Sequence, residues 1–316
     1  MANQVFPMLV GCGRSGTTLI RNILDTHPDL AITHEAHFVG PLARERRRFE
    51  SESGLLIEPF LDAIYDDPNF LRQGVDREQL LASMLEDRPK DYADGVRTVF
   101  AAYAAAEKKP LYGDKTPGSV SQMKLLASLF PEARFIHIIR DGRAVALSYM
   151  ERPEWGPENA AAAAHHWLTR VGRGRSAGKS LGATRYLEVR YEDTVADPET
   201  VARDMCKFLE LEYTEDMLSY QDSSARLIAG SKNPGAFINL AKPVTKGLRD
   251  WTAEMKDRDR MVFEAIAGGL LKDLGYQVDL LPPSIGTRLR VGASAVSWQS
   301  KRVSAVLRRQ MRLKRG

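Results

Sequence analysis

Two apolar runs organise the chain. Residues 5–11 form a short buried stretch that ends in glycine. Residues 134–139 carry Phe-Ile-His-Ile-Ile, a continuous run bounded by charges, as in a strand buried on both faces. The first run enters a glycine-rich turn and then an amphipathic helix over about residues 16–25, closed by His27-Pro28. Shorter strands are expected over 30–33, 111–113 and 185–190. Helices are expected over 119–129, onward from Gly142, and over 158–173, 198–209 and 251–274. Residues 41–110 lack strand alternation and show helix-like stretches at 55–64, 77–85 and 95–107, broken by Pro and Gly. Strands alternating with helices predict an α/β chain, P-loop-like and three-layered α/β/α, with a central parallel sheet and a mainly helical insertion over about 41–110. One domain over 1–280 and a basic tail over 281–316 follow from this reading. Residues 222–249, rich in Ser, Gly, Asn, Pro and Lys, read as a functional loop, and Arg44 to Arg48 as a solvated helix face.

Composition adds exclusions. The 316 residues are 43% hydrophobic and 27% charged, which excludes a disordered or low-complexity chain. Two cysteines, Cys12 and Cys206, cannot build a disulfide framework and point to a reducing compartment. The opening residues lack a basic n-region, and no apolar run reaches the length of a bilayer span. A cytoplasmic protein is therefore expected, at most peripheral to the inner face of the membrane. Net charge is +4, but residues 286–316 hold nine basic residues and no acid. Removing those nine of the 45 leaves 36 against 41 acids, so residues 1–285 carry −5. Nothing in that body suggests nucleic acid. Val296, Val303, Leu307 and Met311 recur in the tail at helical spacing. A basic amphipathic helix lying on an anionic membrane and a solvated tail both fit this pattern.

The strongest local signal is Leu9-Val-Gly-Cys-Gly-Arg-Ser-Gly-Thr-Thr-Leu19. Backbone N–H groups around Gly13–Thr18 and the positive end of the following helix make a site for a phosphate or sulfate dianion. Gly11 and Gly16 have the spacing of a nucleoside-triphosphate P-loop, but Thr17 stands where that motif has lysine. The second strand of such enzymes delivers an acid toward Mg²⁺; here the run at 134–139 delivers Arg140, with Asp141 behind it. Both departures favour a metal-free nucleotide carrying extra phosphate charge.

With these motifs the sequence resembles the PAPS-dependent sulfotransferases, PAPS being 3′-phosphoadenosine 5′-phosphosulfate. Gly13-Arg14-Ser15-Gly16-Thr17-Thr18 resembles their 5′-phosphosulfate loop, and Ile139-Arg140-Asp141-Gly142-Arg143-Ala144 through Ser148 their 3′-phosphate motif. Among them the tyrosylprotein branch is most similar, through Leu24-Asp25-Thr26-His27-Pro28, Glu35, Arg152, Tyr191-Glu192-Asp193 and Lys242-Pro243-Val244. The resemblance covers about residues 5–275. It implies that Arg14, Ser15, Gly16, Thr17 and Thr18 hold the 5′-phosphosulfate. Arg140 and Ser148, with Arg152, would bind the 3′-phosphate. Tyr191 would pack near the adenine or the phosphate, and Lys242, helped by Arg249, would close over the nucleotide.

Glu35, just after the second strand, is the resemblance's general base, with the flanking His34 and His37 competing for that role. Lys115 in Asp114-Lys115-Thr116-Pro117 matches a catalytic lysine that stabilises charge on the bridging oxygen. His34-Glu-Ala-His37 is one residue short of the H-E-x-x-H zinc motif, so no metal site is expected. His37 stands where the tyrosylprotein branch has arginine, which weakens the link to that branch's peptide acceptor. Cys12 and the pair His165-His166 read as packing or surface residues. The implied activity is sulfuryl transfer from PAPS to a hydroxyl, releasing adenosine 3′,5′-bisphosphate (PAP). The acceptor stays open among tyrosyl peptide, sugar, lipid and small metabolite, and the sequence gives no oligomeric state. Two rivals remain: a P-loop kinase, disfavoured by Thr17 and Arg140, and a membrane-associated nucleotide-binding protein without turnover.

Overall fold

The apolar runs pair at the centre of the sheet. In the computed structural model, which describes residues 5–220 and 250–278, β1 (Phe6–Gly11) and the later strand Ala133–Ile139 lie parallel in register, from Phe6 opposite Ala133 to Gly11 opposite Ile138. The chain runs from β1 through α1 (Thr17–Asp25), β2 (Leu30–Thr33), α2 (Val39–Glu45), β3 (Glu50–Ser51) and β4 (Gly54–Leu55). Then come α3 (Ile57–Tyr65), α4 (Arg77–Asp87), α5 (Tyr92–Ala106), β5 (Leu111–Lys115), α6 (Met123–Leu129) and β6 (Ala133–Ile139). After these follow α7 (Gly142–Met150), α8 (Ala160–Leu181), β7 (Tyr186–Arg190), α9 (Tyr191–Ala196) and α10 (Pro198–Leu209), then α11 (Trp251–Glu254) and α12 (Asp257–Asp273). The five-stranded sheet has the order β2-β5-β1-β6-β7, and every pairing in it is parallel. The α/β class with a central parallel sheet is the one read from the sequence.

The described residues fall into two compact units. One comprises residues 5–139 and 173–220, the other 140–172 and 250–278. In the first, alternation along the strands supplies two cores, because successive side chains leave opposite faces of a sheet. Phe6, Met8, Val10 and Phe135 meet Val96, Val99, Phe100 and Phe130 on one face. Leu9, Ile136 and Ile138 meet Ile20, Ile23 and Leu24 of α1 and Met205 and Leu209 of α10 on the other. Phe6 sits among Phe100, Tyr112 and Phe130 at ring-centroid distances of 5.1, 5.2 and 5.5 Å. In the second unit, Trp167 packs on Phe263 at 6.0 Å.

The structure refines several expectations. Residues 41–110 carry α3, α4, α5 and most of α2, as expected of a helical segment, but also the two-residue strands β3 and β4, paired antiparallel. The helix expected over 158–173 runs on to Leu181. Its glycines are sites of close approach: a Cβ on Gly174 would lie 2.4 Å from the His137 ring, and one on Gly178 2.3 Å from Tyr186. The helix expected over 251–274 is broken at Met255 and Lys256, both extended, and Asp257 starts a second helix. No helix among the described residues is long and apolar enough to cross a membrane. The tail over 286–316, Lys242, Arg249 and the loop expected over 222–249 lie outside the described residues.

Candidate active site

The turn after β1 is where the sequence places the anion loop. Arg14 (φ 68°) and Gly16 (φ 86°) both take left-handed backbone, which curls the loop tightly. Gly16 is required twice over. Its φ is one that glycine adopts without strain, and a Cβ there would lie 2.2 Å from the Tyr191 ring. Tyr191 therefore packs directly on the loop. Gly16 caps α1 without a side-chain bond, and the first turn of α1 holds no acid, so its leading N–H groups have no capping side chain. The Ser15 hydroxyl is buried and has no hydrogen-bond partner. An orphaned buried donor beside an uncapped helix start fits the phosphosulfate end of a nucleotide. Thr17 is buried and Thr18 half-buried in the same turn.

The ends of β2 and β5 carry the titratable cluster. Thr33 of β2 is in register with Asp114 of β5, so the residues just beyond, Glu35 and Lys115, emerge side by side. Lys115 Nζ donates to Glu35 Oε1 at 3.0 Å, and His37 Nε2 donates to Glu35 Oε2 at 2.8 Å. Lys115 is only 3% exposed, whereas the Glu35 and His37 side chains are 40% and 44% exposed. Burial works to raise the Glu35 pKa, but the Lys115 charge and the hydrogen bonds from His37 and Lys115 outweigh it. They hold the carboxyl well below the usual carboxylate range. The bond to Glu35 raises His37 against the opposing effect of burial, with the charges of Asp67 and Asp114 adding to it. Burial, with Arg21 and Lys115 nearby, drives His34 down to about 2 and keeps it neutral.

Asp114, the neighbour of Lys115 in sequence, organises this cluster. Its Oδ1 accepts from the Thr33 hydroxyl at 3.1 Å, the Thr116 hydroxyl at 3.0 Å and the Ala36 N–H at 3.4 Å. Burial lifts its pKa to about 6 despite those bonds and the Lys115 charge. Asp114 and Lys115 are the last two residues of β5, and two adjacent charges at the end of a strand were the available signal.

In the second unit, Arg140 directly follows β6 and is 6% exposed. Its carbonyl accepts from Trp167 Nε1 at 3.1 Å. Ser148 is buried on α7, and Arg152 follows one turn later, its guanidinium 5.0 Å from the Trp155 ring centroid. Asp141 and Arg143, which share the motif, serve the framework. Asp141 caps α7 by accepting from the Arg143 N–H at 2.8 Å. Arg143 pairs with Asp141 at 2.8 Å and Glu264 at 2.7 Å, and lies 3.5 Å from the Trp251 ring centroid. His166 packs edge-on against Tyr149 at 5.5 Å, a packing role, and Cys12 is fully buried. No group of three or more metal-ligating side chains occurs among the described residues.

A five-stranded parallel sheet of the order β2-β5-β1-β6-β7, with a glycine-containing turn and a helix after its central strand, defines an α/β fold. The chain belongs to the Sulfotransferase family, whose model matches residues 8–215. It is similar to Protein-tyrosine sulfotransferase 1 of Danio rerio, with 25% identity over 293 residues covering 90% of this chain and 76% of that protein. It is similar also to Protein-tyrosine sulfotransferase A of Caenorhabditis elegans, at 22% identity over 89% of this chain and 70% of that protein. Among solved structures, the sulfotransferase domain from the Curacin biosynthetic pathway shares the fold, at TM-score 0.62 and 19% identity. The match covers 87% of this chain and 99% of that one. The sulfotransferase domain of the Synechococcus PCC 7002 olefin synthase gives a TM-score of 0.61 at 23% identity, over 87% and 95%.

Proposed function

We propose that this sulfotransferase works by metal-free in-line displacement, with Glu35 as general base and Lys115 as the electrostatic catalyst. The observation that carries this reading is the Glu35–Lys115 pair at 3.0 Å, joining residues 80 positions apart at the ends of adjacent strands. PAPS, when bound, supplies the sulfuryl group and leaves as PAP. Arg14, Ser15, Gly16, Thr17 and Thr18 hold its 5′-phosphosulfate, with Tyr191 packed on that loop. By resemblance, Arg140, Ser148 and Arg152 are assigned to its 3′-phosphate and Lys242 to the nucleotide. The orphaned Ser15 hydroxyl and the uncapped start of α1 support the first assignment.

Glu35 must be unprotonated to accept the hydroxyl proton, and Lys115 and His37 keep it so. A carboxylate held that far down is a weak base while Lys115 stays on it. Each drift of Nζ toward a developing negative oxygen therefore raises the basicity of Glu35 as the proton must move. His34, half-buried and lowered to about 2, holds a proton too weakly to be the better candidate for the base, and His37 serves Glu35 instead.

The acceptor is a hydroxyl compound: a tyrosyl peptide, sugar, lipid headgroup or small metabolite. Two buried thiols support a cytoplasmic setting, and the basic residues 286–316 are proposed to touch an anionic membrane. Deleting them should weaken vesicle binding and spare catalysis; unchanged binding would end that idea.

The main test is transfer of label from PAPS into a lysate, with identification of the product, run with and without EDTA. Glu35→Gln and Lys115→Met should each cut transfer by about 10²–10⁴-fold, while calorimetric PAP affinity changes by about twofold or less. Full transfer by either variant, or a need for divalent cation, would overturn the mechanism. Mg-ATP stabilising the protein more than PAP in a thermal-shift comparison would favour the kinase rival.

A further inference from the structure

An edge strand exposes every second main-chain pair, and such groups must be satisfied or covered. β2 is the edge of this sheet, and Leu111 N–H donates to Asp29 O at 2.9 Å on its inner side. By alternation, Leu30, Ile32 and His34 face away from β5. All three are met by side chains. Lys109 Nζ donates to Leu30 O at 3.1 Å. Ile32 N–H donates to Asp25 Oδ1 at 2.8 Å, while Arg21 Nε and Nη2 donate to Ile32 O at 2.9 and 2.7 Å. The last rung is different in origin. His34 N–H donates to Gln73 Oε1 at 3.1 Å, and Gln73 Nε2 donates back to His34 O. One side-chain amide thus replaces a neighbouring strand for the residue before Glu35.

We propose that Gln73 is a positioning residue for Glu35, fixing the His34–Glu35 peptide so that the carboxylate lies between Lys115 and His37. The proposal rests on the reading of Glu35 as base. Past Thr33 the strand has ended, and side chains help orient the next three residues: Gln73 on His34, Lys115 and His37 on Glu35, and Asp114 on Ala36, beside the main-chain bonds from His37 N–H to Glu35 O at 3.0 Å and from Val39 N–H to Ala36 O at 3.2 Å. Gln73 can hold because its own turn is anchored. Phe70 beside it is 2% exposed and packs edge-on against Phe38 at 5.4 Å and Tyr65 at 5.0 Å. The Phe70 N–H donates to Asp67 O at 2.9 Å. The general base is thereby tied to the helical segment between β2 and β5.

The test uses the full chain with Gln73→Met, which keeps length and loses both bonds. A second variant, Gln73→Glu, keeps the acceptor for His34 N–H and sets an oxygen against His34 O. Three readouts apply: the rate of label transfer from PAPS into the acceptor fraction, PAP affinity, and the NMR titration of the His37 imidazole. His37 is faced by Glu35, Asp67 and Asp114, with Glu35 the strongest influence, so its midpoint reports where Glu35 sits.

In folded Gln73→Met the maximal rate should fall about ten- to a hundredfold, the cost of misplacing a reacting group by a fraction of an ångström to one ångström. PAP affinity should stay within about twofold, and the His37 midpoint should move back toward about 6.5. Added to Glu35→Gln, Gln73→Met should cost less than about twofold more, because it acts through that carboxylate. An unchanged rate with an unmoved His37 midpoint in either folded variant would overturn the proposal. So would an undiminished loss in the Glu35→Gln background. If Glu35→Gln alone keeps full activity, the base assignment fails instead, and the His37 titration still decides whether Gln73 places Glu35.

Discussion

Asp114→Asn isolates the electrostatic cost of the cluster beneath Glu35. Asp114 is 3% exposed and its pKa stands at about 6, raised by burial from 3.8. A carboxyl with a raised folded-state pKa stabilises the fold while protonated. That contribution is complete below pH about 3.9 and is lost as pH climbs through about 6. A shift of about two pKa units corresponds to about 3 kcal/mol. Asparagine offers one carbonyl oxygen to the same Thr33, Thr116 and Ala36 donors and never ionises. The free-energy difference between wild type and Asp114→Asn should therefore swing by about 2 kcal/mol in favour of the variant from pH 4 to pH 7. Urea melts at half-unit pH intervals measure it, and groups common to both proteins cancel in the difference. A difference flat within about 0.5 kcal/mol across that range would refute the reasoning. It would show that the bonds from Thr33, Thr116 and Ala36 and the charge of Lys115 compensate burial fully.

Two other perturbations test the framework. Gly16→Ala sets a methyl into the Tyr191 ring on left-handed backbone, which costs about 1–2 kcal/mol in conformation alone. PAP affinity by calorimetry should drop at least about tenfold, and a change under about twofold would dismiss the loop assignment. Arg143→Met strands the buried Asp141 and Glu264 carboxylates, 7% and 5% exposed, and should cost about 3–5 kcal/mol. The thermal midpoint should then fall by about 6–20 °C, with most of it recovered on adding Asp141→Asn and Glu264→Gln. No such recovery would show that packing on Trp251, and not charge, holds Arg143.

What the sequence by itself determined is what short-range patterns carry. Continuous apolar runs marked β1 and β6 because a strand covered on both faces excludes polar side chains, and both ends of β6 fell within a residue of the charges that bound it. The glycines of Gly13–Thr18 marked a tight turn between β1 and α1, because glycine takes left-handed backbone without strain. Glu35 and Lys115 were reached by resemblance, but their distance was not in the sequence: it follows from β2 and β5 being neighbours, a fact of sheet order. The same holds for Asp114, Gln73 and the Arg21–Asp25 grip on Ile32. Each is an ordinary polar residue whose partner lies 7 to 81 positions away. For Gln73, Arg21 and Asp25, selection depends on which strand is left at the edge with main-chain groups unmet. Local propensity carries no information about that edge. Only the assembled sheet creates the unpaired N–H and C=O groups that these side chains answer.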